Sequence, residues 1–536
     1  MSKQSYLKGA AILAIGAIVA KFLGIFFKIP LAHYIGDVGL GLYAYPYPIY
    51  SFFLSISIIG LPLAISKLIS ERVALGDFRA AQKVFNVALV LLIIVGTFSS
   101  SVLFLFRNVI IKTLNWHPDT YYGLVGISFA PFFVSIMAAF RGYFQGLQIM
   151  VPTAISKLIE SFARVIIGLG LAIYLVKNYG IPEAAGGASF GATAGAMAGS
   201  GFLAFLYMAN KKSRNRKIAN SNNIINESIG KIVYRLLQIA LPACIAAIVT
   251  SLMSIIDTAM VPARLGVAGF SIDEAAALFG QMTQKAQTLV NVPITLSLAL
   301  ATSLVPAISE AIALRDREEL KKRTELGIRT VLLVSLPAAV GLSFLATPII
   351  ELLFGIGEKG GDILAISGYS VIFIMTTTTL QSILQGLGKL IIPIKNLVIG
   401  AIIKIFINYI LVSMPILNIK GAAIGSIVGY GVAAFLNYRA VKKYTRVKLD
   451  INQTIIKPII AVITMGISVT LIYKYTHLVL GNSVSTLLTI LLGAIIYFIM
   501  LLIIGGITLQ EMILIPGGKK LSKILSKLGL LKRGKR

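Results

Sequence analysis

Residues 20–30 read AKFLGIFFKIP, an apolar helical stretch that contains two lysines, Lys21 and Lys28. Seven residues separate the lysines, which is two helical turns, so both lie on one face of a helix. A lysine at the centre of a bilayer costs about 2.5–3.5 kcal/mol on insertion scales. The stretch therefore predicts a membrane helix whose lysines are retained for a function.

The composition of the whole chain extends this prediction. The chain has 536 residues, of which 57% are hydrophobic and only 13% are charged. Apolar runs of about 20 residues, long enough to cross a ~30 Å hydrocarbon layer, recur along it. The first two runs cover residues 8–29 and 41–69. We expect an all-α polytopic membrane protein with about fourteen transmembrane helices.

The charge pattern favours membrane topology over nucleic-acid binding. The net charge of +29 collects in short stretches between apolar runs, and the positive-inside rule then predicts that both termini are cytoplasmic. A single cysteine, Cys244, excludes a disulfide framework, and three scattered histidines give no metal-ligand spacing. No P-loop occurs, so we do not expect ATP hydrolysis, and enzyme motifs are nearly absent, so we expect a transporter and not an enzyme.

The spacing of the apolar runs divides the chain into five parts. We expect a six-helix N-lobe at 1–210, a cytoplasmic basic linker at 211–235, a six-helix C-lobe at 236–448, two further helices at 449–510, and a basic cytoplasmic tail at 511–536. The leucine and lysine spacing of the tail is typical of a basic amphipathic helix on the inner leaflet, or of a solvated tail.

Short motifs recur in the two lobes in the same order. QGLQIMVP at 145–152 matches QGLGKLIIP at 385–393. Glycines at 187, 191 and 195 match glycines at 421, 425 and 429. The copies are six helices apart, so they have the same orientation in the membrane. We expect parallel repeats with a substrate cavity between two lobes that rock against each other.

Charged residues inside the predicted helices indicate the chemistry of that cavity. Lys157, Glu160 and Arg164 lie on one face of the fifth helix. Arg164 aligns with Lys404 in the second lobe, which predicts a basic residue at equal depth in both. Such a cavity suits an anionic group such as phosphate or diphosphate.

Two features allow more than one interpretation. Asp257 either pairs with a lysine across the cavity or binds a coupling cation. The aromatic stretch with Tyr43, Tyr45 and Tyr47 either gates the cavity or forms an interfacial belt.

KFLGIFFKIPLAHYIGDVGLGLYAY, LPLAISKLISER and LQEMILIPGGKK resemble segments of the MurJ-like and stage V sporulation protein B-like flippases, and the resemblance extends over essentially the whole chain. These flippases belong to the multidrug/oligosaccharidyl-lipid/polysaccharide (MOP) exporter superfamily. The resemblance implies transfer of an undecaprenyl-pyrophosphate-linked precursor, lipid II, across the bacterial plasma membrane for peptidoglycan synthesis. It also implies that Lys21 lines the cavity, that Lys28 lies one position from a second basic site, and that Asp257 and Asn396 contribute to sodium binding, with Gly400 in place of an acid.

From these features we expect alternating access, in which the basic residues hold the diphosphate while the lipid tail stays in the bilayer. No cofactor is expected; sodium, protons or the membrane potential would bias the return step. The expected partners are a lipid-linked glycan, bilayer lipids and cell-wall synthesis proteins, with the chain itself a monomer and no nucleic acid bound. The alternatives are a flippase for teichoic acid or capsule units, and a cation-coupled multidrug antiporter.

The first testable prediction concerns Lys21. Charge-neutral replacement by alanine should abolish function without loss of folded protein, because the deep lysine is expected to hold the substrate and not the fold. The measurement is complementation of cells depleted of their own flippase, with membrane abundance of the variant as the control. Full complementation by Lys21→Ala would contradict the assignment.

Overall fold

The computed structural model describes residues 6–55, 60–221 and 227–507. All regular secondary structure in these ranges is helical, and two π-helical turns occur at Gln281–Ala286 and Asn452–Ile456. The helices are α1 (Tyr6–Ala44), α2 (Pro46–Ser55), α3 (Leu61–Ala74), α4 (Phe78–Leu105), α5 (Arg107–Thr113), α6 (Thr120–Ser128), α7 (Ala130–Gly146), α8 (Val151–Asn178), α9 (Ile181–Ala209), α10 (Lys211–Ala219), α11 (Ile229–Val267), α12 (Ile272–Gly280), α13 (Gln287–Ala313), α14 (Arg317–Phe344), α15 (Ala346–Phe354), α16 (Gly361–Ser367), α17 (Ser370–Gly386), α18 (Ile391–Leu411), α19 (Ile419–Thr445) and α20 (Lys457–Ile503).

Eleven helical stretches among the described residues are long and apolar enough to cross a membrane. The predicted all-α, multi-pass membrane protein is therefore confirmed. The predicted basic tail at 511–536 lies outside the described residues. The chain divides into two compact units, residues 1–280 and 281–536, and the division falls at the first π-helical turn.

The first two predicted helix limits, 8–29 and 41–69, are wrong in extent. Helix α1 continues to Ala44, and the described residues of the second stretch belong to the end of α1, to α2 and to α3. Helix α1 extends past the predicted limit because a second helical segment follows a kink at Gly36. Gly36 has φ 62° and ψ −172°, a left-handed conformation that favours glycine. Beyond the kink α1 packs against α12, where a Cβ atom on Gly41 would collide with the Ala276 carbonyl.

A large apolar core of the first unit lies between α3, α4 and α7, and Ile65, Phe85 and Phe140 contribute to it. The start of α11 is tied to this core by ion pairs. Glu227 pairs with the buried Arg72 of α3 and, at 3.0 Å, with Arg235 of α11. Burial opposes ionisation of Glu227, but hydrogen bonds from the two guanidinium groups outweigh it and lower the pKa of this carboxyl. This cluster holds α11 within the first unit.

The two units contain helix pairs with matching contacts. In α8 and α9, a Cβ atom placed on Gly195 would lie 2.5 Å from the Glu160 carbonyl oxygen and 3.2 Å from Arg164 Cβ. In α18 and α19, a Cβ atom on Gly429 would lie 2.9 Å from the Gly400 carbonyl oxygen and 3.1 Å from Lys404 Cβ. Glycine lets the two backbones touch at these points.

Two glycines of α8 provide a matched test of this packing. A Cβ atom on Gly168 would lie 3.0 Å from Gly191 Cα and 3.1 Å from the Ala188 carbonyl oxygen, whereas Gly170 has nothing within 4 Å. Gly168→Val should lower stability by about 1–3 kcal/mol through overpacking, and Gly170→Val should leave it nearly unchanged. Thermal unfolding of the detergent-purified chain measures both. Equal effects of the two substitutions would refute the close approach.

Candidate functional site

The charged residues predicted on α8 form a bridged cluster with a residue of α7. Glu160 accepts a hydrogen bond from Arg141 Nη2 at 3.0 Å on one carboxylate oxygen and from Arg164 Nη2 at 3.1 Å on the other. Arg141 Nε also donates to Ser156 Oγ at 3.0 Å. The side chains of Arg141, Glu160 and Arg164 retain 11%, 18% and 31% of their accessible surface. The cluster has two positive charges and one negative charge, and Arg164 is its most accessible member.

Three tyrosine hydroxyls lie within electrostatic range of Arg164. Tyr43 donates a hydrogen bond to the Tyr47 hydroxyl at 2.7 Å, and the ring of Tyr50 meets that of Tyr47 edge-on at 5.9 Å. Arg164 is close enough to all three tyrosines to interact electrostatically with them. Tyr50 Oη is buried and has no hydrogen-bond partner among the described residues. The cluster thus combines cationic groups with hydroxyl donors.

Tyr45 lies apart from the other two predicted gate residues. It is buried at the turn after α1, where its ring stacks on Trp116 at 5.4 Å and on Phe279 at 4.8 Å. Trp116 Nε1 donates to the Thr258 carbonyl at 2.7 Å, so this stack connects to α11 next to Asp257. Tyr45 therefore has a packing role in the first unit, while Tyr43 and Tyr47 lie beside Arg164.

The register of α1 against α8 gives the height of the two lysines. Gly16 lies beside Ala154, and Phe27 lies beside Gly168. Measured along the axis of α8, these contacts place Lys21 near the level of Glu160 and Lys28 about one helical turn beyond Arg164. Lys21 is exposed and Lys28 is half-buried.

The remaining predicted residues lie in separate places. Lys157 is half-buried on α8, one turn before Glu160. Asp257 is half-buried on α11. In the second unit, Lys404 is buried on α18, and Asn396 donates a hydrogen bond to Asn437 Oδ1 at 2.8 Å. Among the described residues, no group of three or more His, Cys, Asp or Glu side chains could hold a metal ion.

The predicted site left out two charged residues that the structure makes prominent. Arg141 completes the cluster with Glu160, although the two lie on different helices and nineteen residues apart. In the second unit, Lys285 is buried in the π-helical turn and donates to Glu358 at 2.5 Å. In the sequence both residues are charges near the ends of apolar runs, a position that also suits a topology or interface charge.

Membrane-length helices in two units, with a polar, partly accessible cation cluster inside one of them, define a multi-pass membrane transporter. The comparisons with known proteins agree with this class. The sequence profile described as "Polysaccharide biosynthesis protein" matches residues 6–312, more than half of the chain, and the MatE profile matches residues 242–410. The chain belongs to the polysaccharide biosynthesis protein family.

Individual relatives confirm the resemblance expected from the sequence. The chain is 28% identical to the lipid II flippase MurJ of Bacillus subtilis (strain 168), over 89% of this chain and 90% of that protein. It is 28% identical to stage V sporulation protein B of the same organism, over 84% and 86%. A solved structure of lipid II flippase MurJ in an inward closed conformation matches its fold with a TM-score of 0.66, over 91% and 98%, at 16% identity. The matched proteins whose printed names give an activity are a flippase and transporters, not enzymes.

The cluster makes a prediction about stability. Glu160→Gln should destabilise the chain by about 2 kcal/mol, because Arg141 and Arg164 would then face each other without a counter-charge. Arg164→Gln should cost less than about 1 kcal/mol, because Glu160 keeps Arg141 as its partner. The double variant should be more stable than Glu160→Gln alone. Unfolding in mixed detergent micelles measures the three; a greater loss for Arg164→Gln than for Glu160→Gln would rule out the bridging role of the carboxylate.

Proposed function

We propose that this protein is a flippase that moves an undecaprenyl-pyrophosphate-linked cell-wall precursor, lipid II, from the inner to the outer leaflet of the bacterial plasma membrane. Nothing is chemically transformed in this process. The substrate has a compact diphosphate with a glycan on one side and a long lipid tail on the other. Transport requires a cationic site for the diphosphate, with the tail left in the bilayer.

The observation that carries this proposal is the matched position of Arg164 and Lys404. Each lies on the first helix of a tightly packed pair, with its Cβ atom against an equivalent glycine of the second helix, Gly195 or Gly429. This correspondence supports duplication into two parallel repeats, with one basic residue supplied by each. Basic residues bind diphosphate through charge-assisted hydrogen bonds. The name of the relative MurJ points to the same class of substrate.

The helix pattern supports fourteen crossings with both termini in the cytoplasm. Eleven stretches qualify by length and composition. We count two more, one from α2 and α3 together and one from α12 and α13 together. The last comes from α20, whose 47 residues would span roughly 70 Å as one helix and which bends at Gly481. An even number of crossings agrees with the positive-inside orientation.

In the proposed cycle, Lys21, Arg164 and Lys404 hold the diphosphate, and Lys28 assists two turns further along α1. The Tyr47 hydroxyl accepts a hydrogen bond from Tyr43, lies within electrostatic range of Arg164, and has its own proton to donate to an anion or to a sugar. Reorientation of the two repeats then exposes the diphosphate on the outer side. Sodium or proton binding, with Asp257 and Asn396 as the proposed sodium ligands, or the membrane potential, would bias the return of the empty protein.

Two matched pairs of variants test this function. Arg164→Gln and Lys404→Gln should each slow flipping of a fluorescent lipid II by about tenfold, since each removes a charge-assisted contact worth roughly 1.5 kcal/mol or more. The controls are Lys177→Gln on α8 and Lys395→Gln on α18, two exposed lysines of the same helices, which should retain the rate. Proteoliposomes with the purified chain provide the measurement. Equal rates for site and control variants would contradict the proposal.

A second experiment identifies the carried glycan. Conditional depletion of the protein should cause lipid II to accumulate in the inner leaflet, and mass spectrometry of the lipid-linked precursors measures this. Accumulation of a teichoic acid or capsule precursor instead would assign the protein to that glycan. The match to the MatE profile favours a drug antiporter as the second candidate. A drug antiporter should confer drug resistance when it is overexpressed. It should also have acidic residues in its cavity, and the cationic cluster argues against that.

A further inference from the structure

A polar cavity lies in the first unit, between α3, α7 and α8. Its volume is about 200 Å³, and its polar lining consists of Arg141, Gln145, Thr153 and Lys157. Leu63 of α3, which is 57% exposed, forms part of its apolar wall. This cavity lies at the N-terminal end of α8. The first residues of the predicted cytoplasmic linker lie at the same end of the unit, since Ser221 hydrogen-bonds with Gly76 and Arg79.

The charges of this cavity are incompletely balanced. Arg141 is held by Ser156 and Glu160, and Glu160 shares its single charge with Arg164. Lys157 makes no hydrogen bond or ion pair with any described residue, although it is half-buried. Thr153 is 1% exposed and its hydroxyl also has no partner in the described part of the chain. A buried polar group without a partner is costly, which points to a ligand that completes the set.

The local backbone favours an anion at this position. Helix α8 begins at Val151, and its N-cap, Met150, gives no side-chain hydrogen bond to the first turn. Thr153 and Lys157 occupy the first two turns of a 28-residue helix, at the positive end of its dipole. The Lys157 ammonium, the Gln145 amide and the Thr153 hydroxyl are all hydrogen-bond donors. Together with Arg141 they form a donor set for a phosphate or diphosphate.

Packing alone does not require these cations. In the alignment that pairs Arg164 with Lys404, the counterpart of Lys157 is Leu397 of α18, which is buried, and the counterpart of Arg141 is Gln381 of α17. The second helix pair therefore assembles with a leucine where the first has an ammonium group. The cations are specific to the first unit, and a ligand explains them better than the fold does.

We propose that this cavity is a loading subsite for the diphosphate of a polyprenyl-linked substrate, occupied before the diphosphate reaches Arg164. The inference rests on the proposed function. Lys157 and Arg164 are seven residues apart on α8, roughly 10 Å along the helix, so a diphosphate passes from one to the other in a short step. The exposed Leu63 offers an apolar surface to the first isoprene units, which favours a lipid-linked diphosphate over the free anion.

A binding experiment on the full chain in nanodiscs tests the subsite with farnesyl diphosphate and inorganic pyrophosphate as probes. Lys157→Met should weaken binding of both probes by about tenfold, because it removes the ammonium but keeps the volume. Farnesyl diphosphate should bind wild type more tightly than pyrophosphate, and Leu63→Ser should reduce that difference. The matched control is Lys177→Met, at the other end of α8, which should bind as wild type does.

The outcomes separate the subsite from the function. Unchanged affinity in Lys157→Met, with a thermal midpoint equal to that of wild type, overturns the subsite. Equal affinity of wild type for the two probes overturns its assignment to a lipid-linked ligand. If proteoliposomes move no polyprenyl-diphosphate lipid, the proposed function fails. The pyrophosphate comparison between wild type and Lys157→Met still decides whether the cavity binds a diphosphate.

Discussion

A charge inside a membrane helix must find its counter-charge or its ligand within the protein, because hydrocarbon offers neither. In the first unit Glu160 meets this requirement by bridging Arg141 and Arg164. In the second unit the buried Lys285 meets it through Glu358. The bridge has one carboxylate for two guanidinium groups, so it fixes the positions of both and leaves a net positive charge. An anionic substrate is the natural complement of that residual charge.

The helix packing and the site depend on the same residues. Gly195 lets α9 touch α8 at the Glu160 carbonyl, and this contact fixes the rotation of α8 about its axis. The rotation in turn sets the direction in which Glu160 and Arg164 leave the helix. A larger residue at 195 would separate the helices and move both charges together. The small-residue faces that the sequence contains are therefore part of the site as well as of the fold.

Sequence patterns predicted the features that depend on residues close together in the chain, namely the helices and their faces. Hydropathy predicted the membrane helices, and the spacing of Lys157, Glu160 and Arg164 predicted their common face. The bridge to Arg141 could not be predicted, because it depends on how α7 packs against α8. The same is true of Tyr45, whose stacking partners Trp116 and Phe279 are distant in sequence. The kink at Gly36 was also invisible, since a glycine in an apolar run is equally compatible with a straight helix.

The two helix pairs differ at one position in a way that packing explains. Glu160 of α8 faces Gly199 of α9, where a Cβ atom on the glycine would lie 3.5 Å from Glu160 Cβ. The aligned Gly400 of α18 faces Ala433 of α19, at 3.4 Å on the same measure. In the second pair the glycine lies on the first helix instead of the second, so the close approach is kept while this pair has no carboxylate at the contact. A Cβ atom on Gly400 would also collide with the Gly429 carbonyl, which excludes an acid there without separation of α18 from α19. Of these two aligned positions, only the one in the first unit, Glu160, can therefore carry a carboxylate at this helix spacing.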